Sequence, residues 1–244
     1  MRLSYDCIFK YSDTFNPVSS NTLLLAGKLA ELTQNKIVLD LGCGKGSPSL
    51  LWASIFGVRV EGYDVNESYV EYANSRAEML NLSDRAKYTR EDVRELRLSR
   101  KYDVVASLGL GIAKVYGDIN SALRMFKTML YKDGVLILAE PVWLLKPVSS
   151  EVLKALGEAE NCFLTRFEMQ QLMEESRFQV LGHFASSKED WELYVRPIYI
   201  AMHEIIESKN DLNEEAQRVI DGFKAEYNSA GQQWDMILWV AKAH

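Results

Sequence analysis

The sequence predicts an α/β fold, a parallel sheet alternating with helices, with a helical addition placed before the last strand. Three observations carry this. Ile37-Val38-Leu39-Asp40-Leu41 is a nearly continuous apolar run that breaks into Gly42, Gly44 and Gly46 and then Ser47-Pro48, the order of a strand buried on both faces, a sharp turn and a helix start. Strand-like and helix-like stretches then alternate up to Glu140, which is the pattern of a parallel sheet. Beyond Pro141 the pattern becomes mainly helical before the chain closes on the apolar run Trp234–Ala241.

Taken in order, residues 1–20 carry Tyr5, Phe9, Tyr11, Phe15 and Pro17 with little periodicity, and Asn21–Leu32 spaces its apolar residues as a helix does. Ser47 stands where an N-cap stands and Pro48 at the first helical position, opening a helix to Phe56. Val58–Tyr63 reads as the second strand, ending in Asp64, and Asn66 is placed to cap a helix over Glu67–Leu80. Ala86–Thr89 and Tyr102–Ser107 are the third and fourth strands. Ile119–Leu130 is a helix, Asp133-Gly134 a turn, and Val135–Ala139 a fifth, buried strand. Helices are expected over Ser150–Gly157 and Thr165–Glu175, a strand over Phe178–Ala185, and two long helices over Lys188–Ser208 and Asn213–Ala230. The count is seven strands. One domain is expected, with a core of 21–140, 177–186 and 233–242, and cap elements at 1–20, 141–176 and 187–231. An insertion this long between two strands exceeds any ordinary connector, and such additions usually carry function.

Composition restricts the partners. With 244 residues, 48% of them hydrophobic, the chain can bury one sizeable core. A net charge of −6 argues against a phosphate-backbone partner. The three cysteines, Cys7, Cys43 and Cys162, have unrelated spacings that suit neither a disulfide framework nor a zinc site. The first residues lack a signal-peptide core, and no apolar stretch nears the roughly 20 residues of a membrane helix. The expectation is a soluble cytoplasmic protein without a metal and without nucleic acid or membrane as partner.

Strand, glycine turn and helix make a nucleotide-type pocket, and an acidic residue ending the second strand, here Asp64, serves ribose hydroxyls in several enzyme classes. Asp64 alone leaves the ligand open. The glycines fall as G-x-G-x-G with Asp40 two residues before the first, a helix precedes strand one, Glu91-Asp92 follows strand three, and a last strand follows the elaborated region. In this combination the chain resembles the class I S-adenosylmethionine-dependent methyltransferases, over 21–140 and the terminal strand. The resemblance implies a Rossmann-like seven-stranded sheet with the last strand antiparallel. It implies S-adenosyl-L-methionine as cofactor, with S-adenosyl-L-homocysteine as product. By position, Gly42, Cys43, Gly44 and Gly46 would form the close-approach turn, Asp64 followed by Val65 would hold the ribose, and Asp92 with the Val93 N–H would read the adenine. Asp40 would face the methionine end, which Ser107 and Leu108 would also contact.

A finer resemblance rests on Ala139-Glu140-Pro141-Val142-Trp143, on Asp190-Trp191-Glu192-Leu193-Tyr194 and on the aromatic last strand. These look like the YjhP-like branch of small-molecule methyltransferases, in which the landmarks recur around a helical cap. Ligands lie beyond the carboxyl ends of parallel strands, where an added cap can close over them, so the acceptor side is expected to draw on Tyr11, Glu140, Trp143, Trp191, Tyr194 and Arg196, with Tyr116, His203 and Glu204 as further candidates. No catalytic base is singled out by sequence, and His183 reads as structural. The chain has Ser107-Leu108-Gly109-Leu110-Gly111 where base- and amide-methylating enzymes carry [DN]-P-P-[FY], which argues against nucleic acid bases and amides as acceptors. Three readings stand on sequence: a small-molecule methyltransferase, an NAD(P)-dependent oxidoreductase sharing the glycine turn and Asp64, and a catalytically silent S-adenosylmethionine binder.

Overall fold

The computed structural model describes residues 3–208 and 211–244, apart from the side chain of residue 155. The expected cap ranges include residues 1, 2, 209 and 210, which lie outside the described residues. Seven strands form one sheet in the order β3-β2-β1-β4-β5-β7-β6. They are β1 (Ile37–Leu41), β2 (Arg59–Asp64), β3 (Ala86–Arg90), β4 (Tyr102–Leu108), β5 (Leu130–Trp143), β6 (Phe178–Ala185) and β7 (Trp234–Ala243). The first five pair in parallel and β7 runs antiparallel to β6. This is the sheet anticipated from the sequence.

The helices are α1 (Tyr5–Ile8), α2 (Ser20–Leu29), α3 (Ser47–Phe56), α4 (Glu67–Met79), α5 (Ile112–Tyr116), α6 (Ile119–Met129), α7 (Ser150–Leu156), α8 (Arg166–Glu175), α9 (Lys188–Glu207) and α10 (Asn213–Ser229). Asn66 caps α4 as its position suggests, accepting from the Ser68 and Tyr69 N–H groups. Ser47 does not cap α3. Gly46 holds that position at φ 73°, and Ser47 is already helical, with its hydroxyl accepting from Arg76 instead. The expected turn at Asp133-Gly134 is an irregularity inside a single 14-residue β5, where Asp133 takes φ 63° and the pairing with β4 shifts register. Sequence periodicity passed over α1 and α5, which at four and five residues span little more than one turn.

The residues divide into two compact units. Unit 2 (Val18–Glu140, Phe167–Ala185 and Ile237–His244) holds most of the sheet. Its centre is β1, whose Val38, Leu39 and Leu41 are fully buried beside Val60, Val104 and Val105 of the flanking strands. The helix α8, expected in the cap, belongs here. The reason is local: Lys127 of α6 donates to the Ser176 and Arg177 carbonyls where α8 ends, and Arg177 at φ 60° turns the chain into β6. Unit 1 (Met1–Pro17, Pro141–Arg166 and Ser186–Met236) is built on α9 and α10. Phe9, Ile198, Ala201, Met202, Ala216 and Ile220 form its buried cluster, sealed by edge-on contacts of Phe9 with Phe15 and of Tyr194 with Phe223.

Candidate functional site

In unit 2 the strand order reverses between β1 and β4, and in open parallel sheets ligands bind beyond the strand ends at such a point. The turn after β1 is held by its neighbours. Gly42 and Cys43 donate their N–H groups to the Tyr63 carbonyl at 2.9 and 3.1 Å, and Gly44 donates to Asp64 Oδ2 at 2.9 Å. Asp64 Oδ1 accepts the Asn66 N–H, so this carboxylate ties the end of β2 to the glycine turn. Gly42, Gly44 and Gly46 all take positive φ. At Gly46 a Cβ would also lie 2.9 Å from Tyr88 Cζ and 3.0 Å from Ala73 Cβ, so both dihedral and packing require glycine there.

Asp40 sits one residue before the end of β1, 2% exposed. Its register partners are Gly62 and Ala106, small residues that leave room on that face for a carboxyl group. Tyr88, paired with Gly62, lies over that bare position, and its hydroxyl meets Ser49 at 3.0 Å. Burial raises Asp40 to about 6, opposed by a hydrogen bond from Ser49 and reinforced by the charge of Asp64. Asp40 Oδ2 has no hydrogen-bond partner among the described residues, and neither has the Ser107 hydroxyl at the end of β4. Two buried polar atoms left unpaired at adjacent strand ends are costly in a protein interior and mark a place where a polar ligand completes the structure.

The remaining unit 2 candidates divide. Cys43 is buried beneath the turn and burial raises its thiol well above the ordinary range. Val65 is exposed, whereas Val93 and Leu108 are buried. The Asp92 carboxylate is held by Arg94 through contacts of 2.5–3.0 Å, which lower it to about 2, so an adenine amine would share Asp92 with that guanidinium. Glu140, expected on the acceptor side, instead accepts the Gly111 and Ile112 N–H groups at 3.1 and 3.2 Å and fixes the entry to α5. Burial raises it to about 7. Tyr116 ends α5 with a buried hydroxyl lacking a partner among the described residues, raised to about 12 by burial and by the nearby charge of Asp92.

Unit 1 contains a cavity of about 170 Å³ walled by residues that include Phe163, Trp191, Tyr194 and Trp234, with Glu158 and Glu226 as its carboxylates. Two of the expected acceptor residues, Trp191 and Tyr194, line it. Trp143 does not: it is fully buried, donates its indole N–H to the Glu160 carbonyl at 2.7 Å and packs on Phe163, so its ring is spent in the core. Arg196 follows Tyr194 by two residues, about 200° round the helix, and is exposed on another face of α9. Tyr11 donates to Glu204, which also pairs with Lys10, outside the cavity lining. His203 is exposed, as is His183, which stacks on Trp239. Sequence reasoning missed Glu226. Its signal was present, since Glu226 continues the apolar stripe Ala216-Ile220-Phe223 of α10 at helical spacing.

The model of the methyltransferase domain family matches residues 32–220, more than three quarters of the chain. The chain belongs to the methyltransferase domain family. Among the curated relatives of this methyltransferase, Escherichia coli (strain K12) YjhP is 24% identical over 197 residues, covering 80% of this chain and 79% of YjhP. The 27-O-demethylrifamycin SV methyltransferase of Amycolatopsis mediterranei is 28% identical, covering 83% and 72% of the two chains. In fold, the chain is similar to the S-adenosylmethionine-dependent methyltransferase of Thiobacillus denitrificans, solved with S-adenosyl-L-homocysteine. There the TM-score is 0.89 at 21% identity over all of both chains.

Proposed function

We infer that this methyltransferase, which takes its methyl group from S-adenosyl-L-methionine, transfers it to a small molecule recognised by unit 1. The observation that carries the cofactor reading is the buried, unpaired Asp40 Oδ2 near the end of β1, at the switch point of the sheet and next to a glycine turn, with a second unpaired group, the Ser107 hydroxyl, near the end of the adjacent β4. The group fits these residues: a carboxylate and a hydroxyl suit its ammonium and sulfonium end, and Asp64 has free lone pairs for ribose hydroxyls. When bound, the cofactor supplies an activated methyl group. The chain's own work is to hold the methionine end with Asp40 and Ser107, to hold the ribose with Asp64, and to present the acceptor in line while excluding water.

Family membership sets aside the oxidoreductase reading. The acceptor class draws support from the unit 1 cavity, which is well below the roughly 300–1,000 Å³ of drug-sized ligand sites and therefore suits a small acceptor or a small group of a larger one. Free Cys7, Cys43 and Cys162 accord with a reducing cytoplasm. Among the described residues no helix is long and apolar enough to cross a membrane. Calorimetry with S-adenosyl-L-homocysteine tests the reading. Binding by the wild type that falls about ten- to a hundredfold in Asp64→Ala, the loss of charge-assisted hydrogen bonds of about 1.5–3 kcal/mol, is the expected result. Unchanged affinity would sink the assignment of Asp64.

A further inference from the structure

The cavity in unit 1 has aromatic and acidic walls with no basic side chain among them. Its indole and phenol donors are all spent elsewhere: Trp191 Nε1 on Asp235 at 2.9 Å, Trp234 Nε1 on Ser229 at 2.9 Å, and the Tyr194 hydroxyl on the Phe15 carbonyl at 3.2 Å. What these residues turn to the cavity is therefore ring surface, and the rings stand edge to face, Trp191 to Trp234 at 5.2 Å and Trp191 to Tyr194 at 5.9 Å. The other polar side chains of the lining are the carboxylates of Glu158 and Glu226 and the amide of Asn16, and no lysine or arginine is part of it. Glu226 has no hydrogen bond or ion pair to its carboxylate among the described residues.

We infer that this cavity takes the acceptor as a cationic amine, with Glu226 as its counter-ion and the Trp191, Tyr194 and Trp234 rings as its cage. The inference rests on the acceptor reading of unit 1 given above and adds the substrate class. Aromatic faces carry negative potential and attract alkylated ammonium groups, and a partly buried carboxylate with no partner gains most from a cation beside it. A carboxylate ligand would meet Glu158 and Glu226 in a site with no basic residue. A neutral ligand would leave the Glu226 charge uncompensated. Burial alone raises Glu226 to about 7, with no cation acting against it. Its effect reaches the facing Tyr194 and Tyr199 hydroxyls of α9, both of which are raised in part by its charge.

An isosteric pair tests the charge requirement. N,N-dimethylethanolamine is protonated at pH 8, and 3-methylbutan-1-ol has the same branched skeleton with carbon in place of nitrogen. Calorimetry on the full chain should show the amine binding at least about tenfold more tightly than the alcohol. In Glu226→Gln that preference should disappear, while affinity for S-adenosyl-L-homocysteine stays within a few-fold and the melting temperature does not fall. Equal affinity for the pair in the wild type, binding of neither probe, or a preference that survives Glu226→Gln would overturn the inference. Should Glu226→Gln fail to fold, 3-methylbutanoate provides the second measure on the wild type, and binding as tight as the amine's would overturn the inference equally. Loss of S-adenosyl-L-homocysteine binding by the wild type is a separate result that would strike the cofactor reading instead.

Discussion

The two units treat polar groups in opposite ways. In unit 2 the glycine turn is made of main chain: the N–H groups of Gly42, Cys43 and Gly44 are fixed by the Tyr63 carbonyl and the Asp64 carboxylate, and the buried atoms left unpaired include a carboxylate oxygen and a hydroxyl near strand ends. In unit 1 the cavity is made of side chains, whose indole and phenol donors are satisfied elsewhere and whose rings and Glu226 carboxylate line the cavity. A site built from main chain needs glycine and a fixed register, and it reads one invariant ligand. A site built from side chains can be re-specified by exchanging a few of them on the same helices.

The sharpest way to break the comparison is Trp143→Ala. A fully buried indole that packs on Phe163 and satisfies the Glu160 carbonyl is a core residue, so the loss should be about 3–5 kcal/mol in a denaturation experiment. If stability held and only acceptor turnover fell, Trp143 would be part of the pocket after all. A smaller contrast comes from two glycines with nearly equal φ, Gly46 at 73° and Gly231 at 75°. A Cβ at Gly46 meets Tyr88 and Ala73, whereas at Gly231 nothing lies within 4 Å. Gly46→Ala should cost about 2–5 kcal/mol, from left-handed strain plus overpacking, and Gly231→Ala about 1–2 kcal/mol from strain alone. Equal losses of melting temperature would mean that packing at the turn adds nothing. The smallest effect is expected for Glu204→Gln on the exposed face of α9, where an ion pair with Lys10 is open to solvent. That variant should leave both the melting temperature and S-adenosyl-L-homocysteine affinity unchanged, and a marked change in either would bring Tyr11 and Glu204 back as acceptor residues.

How much the sequence disclosed follows the same division. The apolar run of β1, the alternating glycines and the acidic ends of β1 and β2 are local signals, because a strand buried on both faces and a left-handed turn permit few residue types. The fold and the glycine turn were therefore legible from Ile37 to Asp64. Glu140 misled because its neighbours Pro141 and Trp143 form a recognisable landmark, yet its role is set by the Gly111 and Ile112 N–H groups, 29 and 28 residues away in the chain. Trp143 misled because an aromatic residue near a strand end serves a pocket or a core equally well, and the choice was made by Glu160 and Phe163. Arg196 carried no local signal of where it points. Glu226 was overlooked because a single acidic residue among the many of α10 stands out only when the apolar stripe it continues is known to face a cavity.

The most direct measurement is S-adenosyl-L-homocysteine affinity as a function of pH for the wild type and Asp40→Asn. Burial raises the Asp40 carboxyl to about 6, so above that pH it is ionised and able to hold the ligand's ammonium. As pH falls through about 6 it takes up a proton and that attraction is lost. The account predicts wild-type affinity that is constant from pH 7 to 8 and declines below about 6, and an Asp40→Asn protein that binds at least about tenfold more weakly at pH 7.5 with little pH dependence. The same variant, freed of a buried charge, should melt no lower than the wild type without ligand. Wild-type affinity that ignores pH between 5 and 8, or Asp40→Asn binding as tightly as the wild type, would contradict the claim that the unpaired Asp40 carboxylate receives the cofactor.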